Sequence, residues 1–346
     1  MFPLRGGVDE GAHRVARFDV TVAGELNLDL ILYGLPEELP TERELLADGL
    51  SVTLGSSSAI FAHNLSALGS RVGFISRIGD DPLGQIALDR LSASGTDVSK
   101  ARKISGAAST GLTVILPHSH SRRILTYPGT MFEMCFEDLD LDYLSGSRHF
   151  HLSSFFLHRA LRPRLAGLFK KMKEAGLTTS LDTNDDPEDQ WSSDLLELLP
   201  HVDVLLPNAR EAKKIARADQ LDAALEILSG LVPLVVVKLG AEGAVARRGK
   251  EVTRSAPLDL GVGAVDPVGA GDSFDAGFLH QYVRGSALGT CLAYGNLAGA
   301  FSTTRPGGTE AFRDRQHFEQ FFKRHWRHPA PGAPEFPSVF TQAHHD

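Results

Sequence analysis

The sequence predicts an α/β fold: a mostly parallel central sheet with helices on both faces, and a small separate β-sheet laid over one side as a lid. Three observations lead there. Short β-branched runs alternate with stretches of helical period through most of the 346 residues, as strands joined by crossover helices do. Acidic and amide residues gather directly after several predicted strands, where open α/β sheets bind their ligands. Two β-rich stretches have no helix between their strands and fall outside the alternation.

Met1 to Arg17 mixes Gly, Pro and charged residues with no apolar core segment, so residues 1–17 read as a loose tail without a signal-peptide pattern. Phe18 to Ala23 reads as the first buried strand. Leu28 to Tyr33 opens the lid, which Gly111 to Pro117 and Arg123 to Tyr127 complete around a turn at Pro117 to Ser121. The lid thus draws on about residues 28–53 and 105–130. Between these pieces Ala59 to Leu68 and Leu83 to Ser94 have helical period, and Arg71 to Arg77 reads as a strand. His149, His151 and His158 flank a strand. Beyond it come a helix at Arg162 to Glu174, strands at Leu177 to Asp182, Val202 to Pro207 and Leu234 to Leu239, and helices at Ala209 to Ala216, Leu221 to Leu228 and Leu288 to Phe301. Each strand is expected to lead into a helix. From about His328 onward, proline excludes regular structure, and residues 328–346 form a second tail. One large domain, 18–327, lies between the tails.

Hydrophobic residues make up 42% of the chain, enough for a large core, and the net charge of -8 has no basic block. That balance argues against nucleic acid or an anionic membrane as partner and leaves a small molecule. No apolar run approaches the ~20 residues that span a bilayer. Cys135 and Cys291 stand far apart without a zinc or disulfide pattern, so a soluble protein of the reducing cytoplasm is expected. The fourteen histidines form no metal-ligand motif and read as surface or hydrogen-bonded core residues.

The chemistry concentrates at Ala264 to Phe278, A-V-D-P-V-G-A-G-D-S-F-D-A-G-F. Gly269, Ala270 and Gly271 end a loop that runs into an apolar-periodic helix. Its first turn has free amides and a positive dipole end, which favour an anion, and small residues let that anion approach the backbone. Asp272 then stands where anionic charge would collect, suited to taking a proton from an attacking hydroxyl. The same residues also suit a tight turn with Asp272 as an N-cap. Position 274 is Phe and no Lys follows the loop, which excludes the dinucleotide fingerprint and the P-loop. Asp182 and Asn184, Asn208 and Glu211, and this loop follow three separate strands and point to one site.

From about Phe18 to Phe312 the chain resembles the ribokinase-like (PfkB) carbohydrate kinases. The family signature, roughly D-T-x-G-A-G-D-x-F-x-A-G-F, is met from Asp266 to Phe278 with one departure, Pro267. A second signature is recognisable between Gly69 and Gly95, through Arg71-Val72-Gly73, Ile78-Gly79-Asp80-Asp81, Gly84 and Leu91. The resemblance implies a three-layer ribokinase-like fold and phosphoryl transfer from ATP to a hydroxyl of a sugar, with Asp272 as base and Gly269, Ala270 and Gly271 as anion hole. It implies that Asn208 and Glu211, in N-x-x-E, manage Mg2+ through water, although the pair also suits a capped helix start. Asn27 and Asp29 would grip acceptor hydroxyls with Gly55 and Ser56 beside them; Asp29 also suits a turn at an exposed strand edge. Lys238, Gly240 and Gly243 would form one wall of the nucleotide pocket, Asn296 and Gly307 the other, and K+ would sit near Asp266. A nucleoside acceptor, or a sugar or nucleotide sensor without catalysis, is the alternative, and a homodimer through the lid is implied by the relatives.

Departures bear on the acceptor. Gly55-Ser56 stands where many relatives have Gly-Gly, and Ile60 where they have a sugar-binding Asn. A hinge with one glycine fewer is stiffer. Ser57 and Ser58 are polar replacements, and the carboxylates of Asp182 to Asp186 disfavour an acidic acceptor.

Overall fold

In the computed structural model, residues 16–106, 108–118, 122–261 and 263–326 are described. Apart from residues 16 and 17, the predicted tails lie outside them, as do His120 and the rest of the lid turn at 119–121.

The strands in chain order are β1 (Phe18–Ala23), β2 (Leu28–Tyr33), β3 (Gly49–Leu54), β4 (Val72–Ile75), β5 (Arg77–Gly79), β6 (Arg102–Ile104) and β7 (Leu112–Pro117). They continue as β8 (Arg122–Tyr127), β9 (Ser147–Leu152), β10 (Thr178–Leu181), β11 (Val204–Leu205), β12 (Leu234–Lys238), β13 (Ala244–Arg248) and β14 (Glu251–Ser255). Eight of them form the central sheet in the order β14-β13-β12-β11-β10-β9-β1-β4, and all pairings from β12 to β4 are parallel. The fold is therefore ribokinase-like α/β, with helices on both sides of a mostly parallel sheet.

Alternation along β12 shows how the layers arise. Leu234 and Val236 face one core with Val20, Val22, Phe61, Phe278 and Phe301, whereas Val235 and Val237 face a second core with Phe150, Phe169 and Leu228. Residues i and i+2 of a strand share a face, so a fully apolar run must be covered on both sides. Helices Ser57–Ala67, Ala270–Tyr282 and Leu288–Ser302 cover the first face; Leu165–Glu174, Ala209–Ala216 and Leu221–Ser229 cover the second.

Several expectations are corrected. The strand at Leu234 leads not into a helix but into the antiparallel strands β13 and β14. The stretch Arg71 to Arg77 divides: β4 joins the central sheet, and β5 pairs with β6 in a two-stranded sheet. His149 and His151 do not flank a strand but lie within β9, fully buried. There Thr178, His149, Ser180, His151 and Ser153 form a continuous row of side-chain hydrogen bonds of 2.7, 2.6, 2.7 and 2.8 Å. Burial pushes the His149 imidazole down to about 3 and His151 well below its usual range, so both rings are neutral at pH 7.

The small sheet has the order β3-β2-β7-β8, with β2 and β7 parallel and both edges antiparallel. β2 is thus an inner strand, which places Asp29 at the centre of this sheet and buried rather than at an exposed edge. One face of the sheet looks onto the carboxyl ends of the central strands, because Asp29, Thr113, Ile124 and Thr126 line a cleft together with residues from those ends.

Candidate active site

Five neighbouring parallel strands each deliver a polar residue from the carboxyl end into one cleft of about 500 Å³: Glu25 after β1, Ser154 after β9, Asp182 after β10, Asn208 after β11, and Lys238 closing β12. A second cleft of about 730 Å³ lies beside it, lined by Gly243, Leu258, Leu260, Phe274, Asn296 and Ala300 among others. The two share Lys238, Gly240, Pro267 and Gly271. The first cleft is rich in acidic and amide residues and bordered on one side by the small sheet; the second has an apolar wall suited to a flat ring.

The turn between them begins at Gly269, whose φ is 72°. A side chain there would place Cβ 2.5 Å from the Gly308 Cα, so both backbone conformation and space demand glycine. The helix Ala270–Tyr282 follows, with Asp272 as its third residue. Asp272 is therefore inside the first turn and is not the N-cap. The Ala270 amide donates a long bond of 3.3 Å back to the Pro267 carbonyl.

Asp272 lines the first cleft, and its carboxyl is pushed up to about 7. Burial is the main cause and the Asp182 carboxylate adds to it, while Lys238 and a hydrogen bond with Ser57 act in the opposite direction. Asp29 is likewise raised to about 7, first by burial and then by Asp272 and Asp266. The Gly55 backbone packs against Asp29 so closely that a Cβ would lie 2.1 Å from its Oδ1. Asn27 Nδ2 donates a 3.4 Å bond to Thr113 Oγ1, and its Oδ1 is buried in the same cleft with no partner.

Lys238 is buried except where it meets the clefts. Its Nζ donates to Asp182 Oδ2 at 2.7 Å and to Asp275 Oδ2 at 3.0 Å. Those two carboxylates, with Glu211, raise the ammonium well above its usual range against the effect of burial. Glu211 is itself raised to about 7, by burial and then by Asp182. Its Oε2 accepts from the Asn208 amide at 2.8 Å and its Oε1 from Asn208 Nδ2 at 2.5 Å, while Asn208 Oδ1 accepts from the Glu211 amide. The capped helix start is therefore present, and it turns both residues toward the first cleft.

The remaining sequence candidates divide between the clefts. Gly240 lies in both, Gly243 and Asn296 line the second, and Asn296 Nδ2 donates to the Ala256 carbonyl at 2.8 Å. Gly307 does not line either cleft; its amide donates to Asp266 Oδ2 at 2.8 Å, and the Val268 amide donates to Oδ1 at 2.9 Å, so Asp266 braces the loop ahead of Gly269. Ser56 and Ile60 line the first cleft.

Two features were missed in the sequence. Glu25 is buried and accepts from Ser58 Oγ at 2.7 Å and Ser154 Oγ at 2.8 Å, with His158 Nε2 3.3 Å away. Burial alone would raise this carboxyl, but His158 and Ser58 bring it below its usual range. Glu25 stood inside the stretch read for Asn27 and Asp29, and a charged residue just after an apolar strand was the available signal. The second is backbone conformation. Ser56, Ser154 and Asn184, three of the seven described non-glycine residues with positive φ, all line the first cleft. Such conformations cost energy and gather at functional sites.

The pfkB family carbohydrate kinases match residues 17–315. An uncharacterized sugar kinase of Archaeoglobus fulgidus is 27% identical over 246 residues, covering 71% of this chain and 96% of that protein. The crystal structure of adenosine kinase from Sinorhizobium meliloti is 25% identical with a TM-score of 0.76, covering 85% of this chain and 96% of that one. The structure of Arabidopsis thaliana ribokinase complexed with ribose and ATP is 22% identical with a TM-score of 0.75 over 88% of this chain and 99% of that one, and shows the shared fold. With the match spanning nearly all the described residues, the chain belongs to the pfkB family of carbohydrate kinases, phosphotransferases with an alcohol group as acceptor.

Proposed function

We propose that the chain is an ATP-dependent sugar kinase in which the 500 Å³ cleft holds the acceptor, the 730 Å³ cleft holds the nucleotide, and the Gly269–Asp272 turn lies between reacting groups. The observation that carries this reading is Asp272 itself, a buried carboxylate raised to about 7 at the point where the clefts meet. A base with a pKa near neutrality combines an available lone pair with a sufficient appetite for a proton.

In the transfer, an acceptor hydroxyl oxygen bonds to the γ-phosphorus, the bond from that phosphorus to the β–γ bridging oxygen breaks, and its electron pair leaves on ADP. The hydroxyl proton passes to Asp272. Backbone amides of Ala270 and Gly271 meet the developing negative charge, and the small sheet keeps water from the acceptor's place. Asn27 Oδ1, without a partner in the protein, and Asp29 accept from acceptor hydroxyls.

Mg2+ fits the carboxylate and amide oxygens of Glu211 and Asn208, since the proximity of Glu211 to Asp182 is a repulsion that a cation relieves. Because both Glu211 oxygens are held by Asn208, these residues would hold the ion through water, and it would supply charge neutralisation on the donor phosphates. Carbonyls near Asp266 would hold K+. The exposed edge strand β8 carries Ile124, Leu125 and Tyr127 at 53%, 59% and 52% exposure, and we assign it to a homodimer through the small sheet.

The test is ADP release with Mg2+ and ATP, with and without K+, across pentoses, hexoses, keto-sugar acids and nucleosides. Acceptor-dependent turnover that falls about 100-fold or more in Asp272→Asn, with ATP affinity retained, is the expected result. Equal turnover in that variant ends the assignment. A nucleoside as the preferred acceptor would instead place the protein nearer the adenosine kinase it resembles.

A further inference from the structure

Among the described residues Lys238 is the basic side chain shared by the two clefts; Arg122 lines the first cleft alone. Around it stand Asp182 and Asp275 in direct contact, and Asp272 and Glu211 close enough to respond to its charge. Four carboxyl groups face one ammonium here, and Asp272, Glu211 and Asp275 are all raised by burial and by the charge of Asp182, so the wall keeps part of its protons near neutrality. A phosphoryl group crossing from one cleft to the other would find attraction at the backbone amides and Lys238, with Arg122 the other cation, on the small-sheet side of the first cleft only. A Cβ built on Gly271 would lie 3.7 Å from Lys238 Nζ, so the ammonium hangs over the turn that carries those amides.

A purely structural role explains this arrangement poorly. A buried ion cluster is commonly no more stable than apolar residues of the same volume, and a lysine that only neutralised Asp182 and Asp275 would have no reason to reach both clefts. Asp275 Oδ1 is buried without a partner, so the clamp does not satisfy even its own carboxylate. What the two aspartates do achieve is direction, since two acceptors at 2.7 and 3.0 Å fix the position of an otherwise flexible side chain.

We propose that Lys238 meets the phosphoryl group in transit at the Gly269–Asp272 turn, with Asp182 and Asp275 aiming its ammonium there. This rests on the kinase reading above and adds a group that the anion hole lacks. In the trigonal, spread-out charge of the transition state, the ammonium binds equatorial phosphoryl oxygen more strongly than it binds either ground state, so its effect falls on turnover and not on nucleotide affinity. No proton leaves Lys238.

The experiment compares the wild type with Lys238→Met and with the charge-balanced pair Lys238→Met/Asp275→Asn. Melting temperature, ADP affinity, and affinity for ADP with aluminium fluoride and Mg2+, a mimic of the transferring phosphoryl, are measured for each, and turnover for any acceptor found. Lys238→Met alone leaves uncompensated buried carboxylates and is expected to melt early. The double variant is expected to recover the melting temperature, keep ADP affinity within about threefold, and lose about 100-fold or more of both turnover and aluminium fluoride binding. A double variant that recovers stability and still binds the mimic as the wild type does would overturn the proposal and leave the kinase reading standing. A wild type that binds ADP but gains nothing from aluminium fluoride would sink both.

Discussion

Replacing Ser56 with glycine should make the protein more stable and its acceptor site weaker. Ser56 precedes the helix Ser57–Ala67 with φ 67° and ψ 126°, a conformation that only glycine adopts without strain. Its hydroxyl is also buried without a partner. Backbone strain of this kind costs about 1–3 kcal/mol, and an unpartnered buried hydroxyl about 1 kcal/mol or more. Against these stands about 1 kcal/mol for the greater freedom of glycine in the unfolded chain. The net gain is about 2 kcal/mol, or about 3–6 °C in melting temperature for a domain of this size. Urea unfolding and a thermal scan read the stability. Ser56 lines the cleft proposed for the acceptor, so loosening the backbone there should raise the acceptor KM several-fold and leave the KM for ATP unchanged. A lower melting temperature in Ser56→Gly would refute the argument, because it would mean that neither the strain nor the orphaned hydroxyl is real.

Three further outcomes are expected. Asp272 has a folded value of about 7 against 3.8 unfolded, so its contribution to stability is full below about pH 3.8 and is lost as pH rises through about 7. Asp272→Asn should therefore gain stability over the wild type across that window, up to about 4 kcal/mol at pH 8, as urea midpoints at pH 5 and pH 8 will show. Wild-type turnover should decline as pH falls below about 7; Asp29 and Glu211 are also raised to about 7, so the fitted constant describes the group of carboxylates and not Asp272 alone. Gly55→Ala should push the Asp29 carboxylate aside, because the new Cβ would lie 2.1 Å from Oδ1, and raise acceptor KM about 10-fold or more with little effect on ATP. Leu125→Glu, on the exposed β8 edge, should shift the protein to monomer in analytical ultracentrifugation if the small sheets pair, and a dimer unmoved by it would rule out that interface.

Periodicity made the inner strands legible, because an apolar run such as Leu234 to Val237 has no other stable place than between two layers of helices. It failed where one face of a strand is polar for a reason the sequence does not show. β13 buries Ala244, Val245 and Ala246 and then ends in Arg247 and Arg248, while β14 is largely exposed and closes the sheet as an antiparallel edge, so no helix was needed after β12. β9 reads S-R-H-F-H-L, and nothing in that string says that its histidines point inward and find hydroxyls on β10. The site divides in the same way. Gly269 to Asp272, and Asn208 with Glu211, are local in sequence and could be read from spacing. The pairing of Lys238 with Asp182 and Asp275, and the burial of Glu25 under Ser58 and Ser154, join residues that only the folded sheet brings together.

The buried row from Thr178 to Ser153 carries a consequence for where its hydrogens sit. Each neutral imidazole has one N–H, and the Ser180 hydroxyl, with a single hydrogen, lies between His149 Nε2 and His151 Nδ1. If that hydroxyl donates toward His151, His149 must offer its Nε2–H and His151 must hold its own on Nε2; if it donates toward His149, both rings carry the hydrogen on Nδ1. The two histidines therefore share one tautomer, and the row can only reverse as a unit, from one end of the sheet to the other.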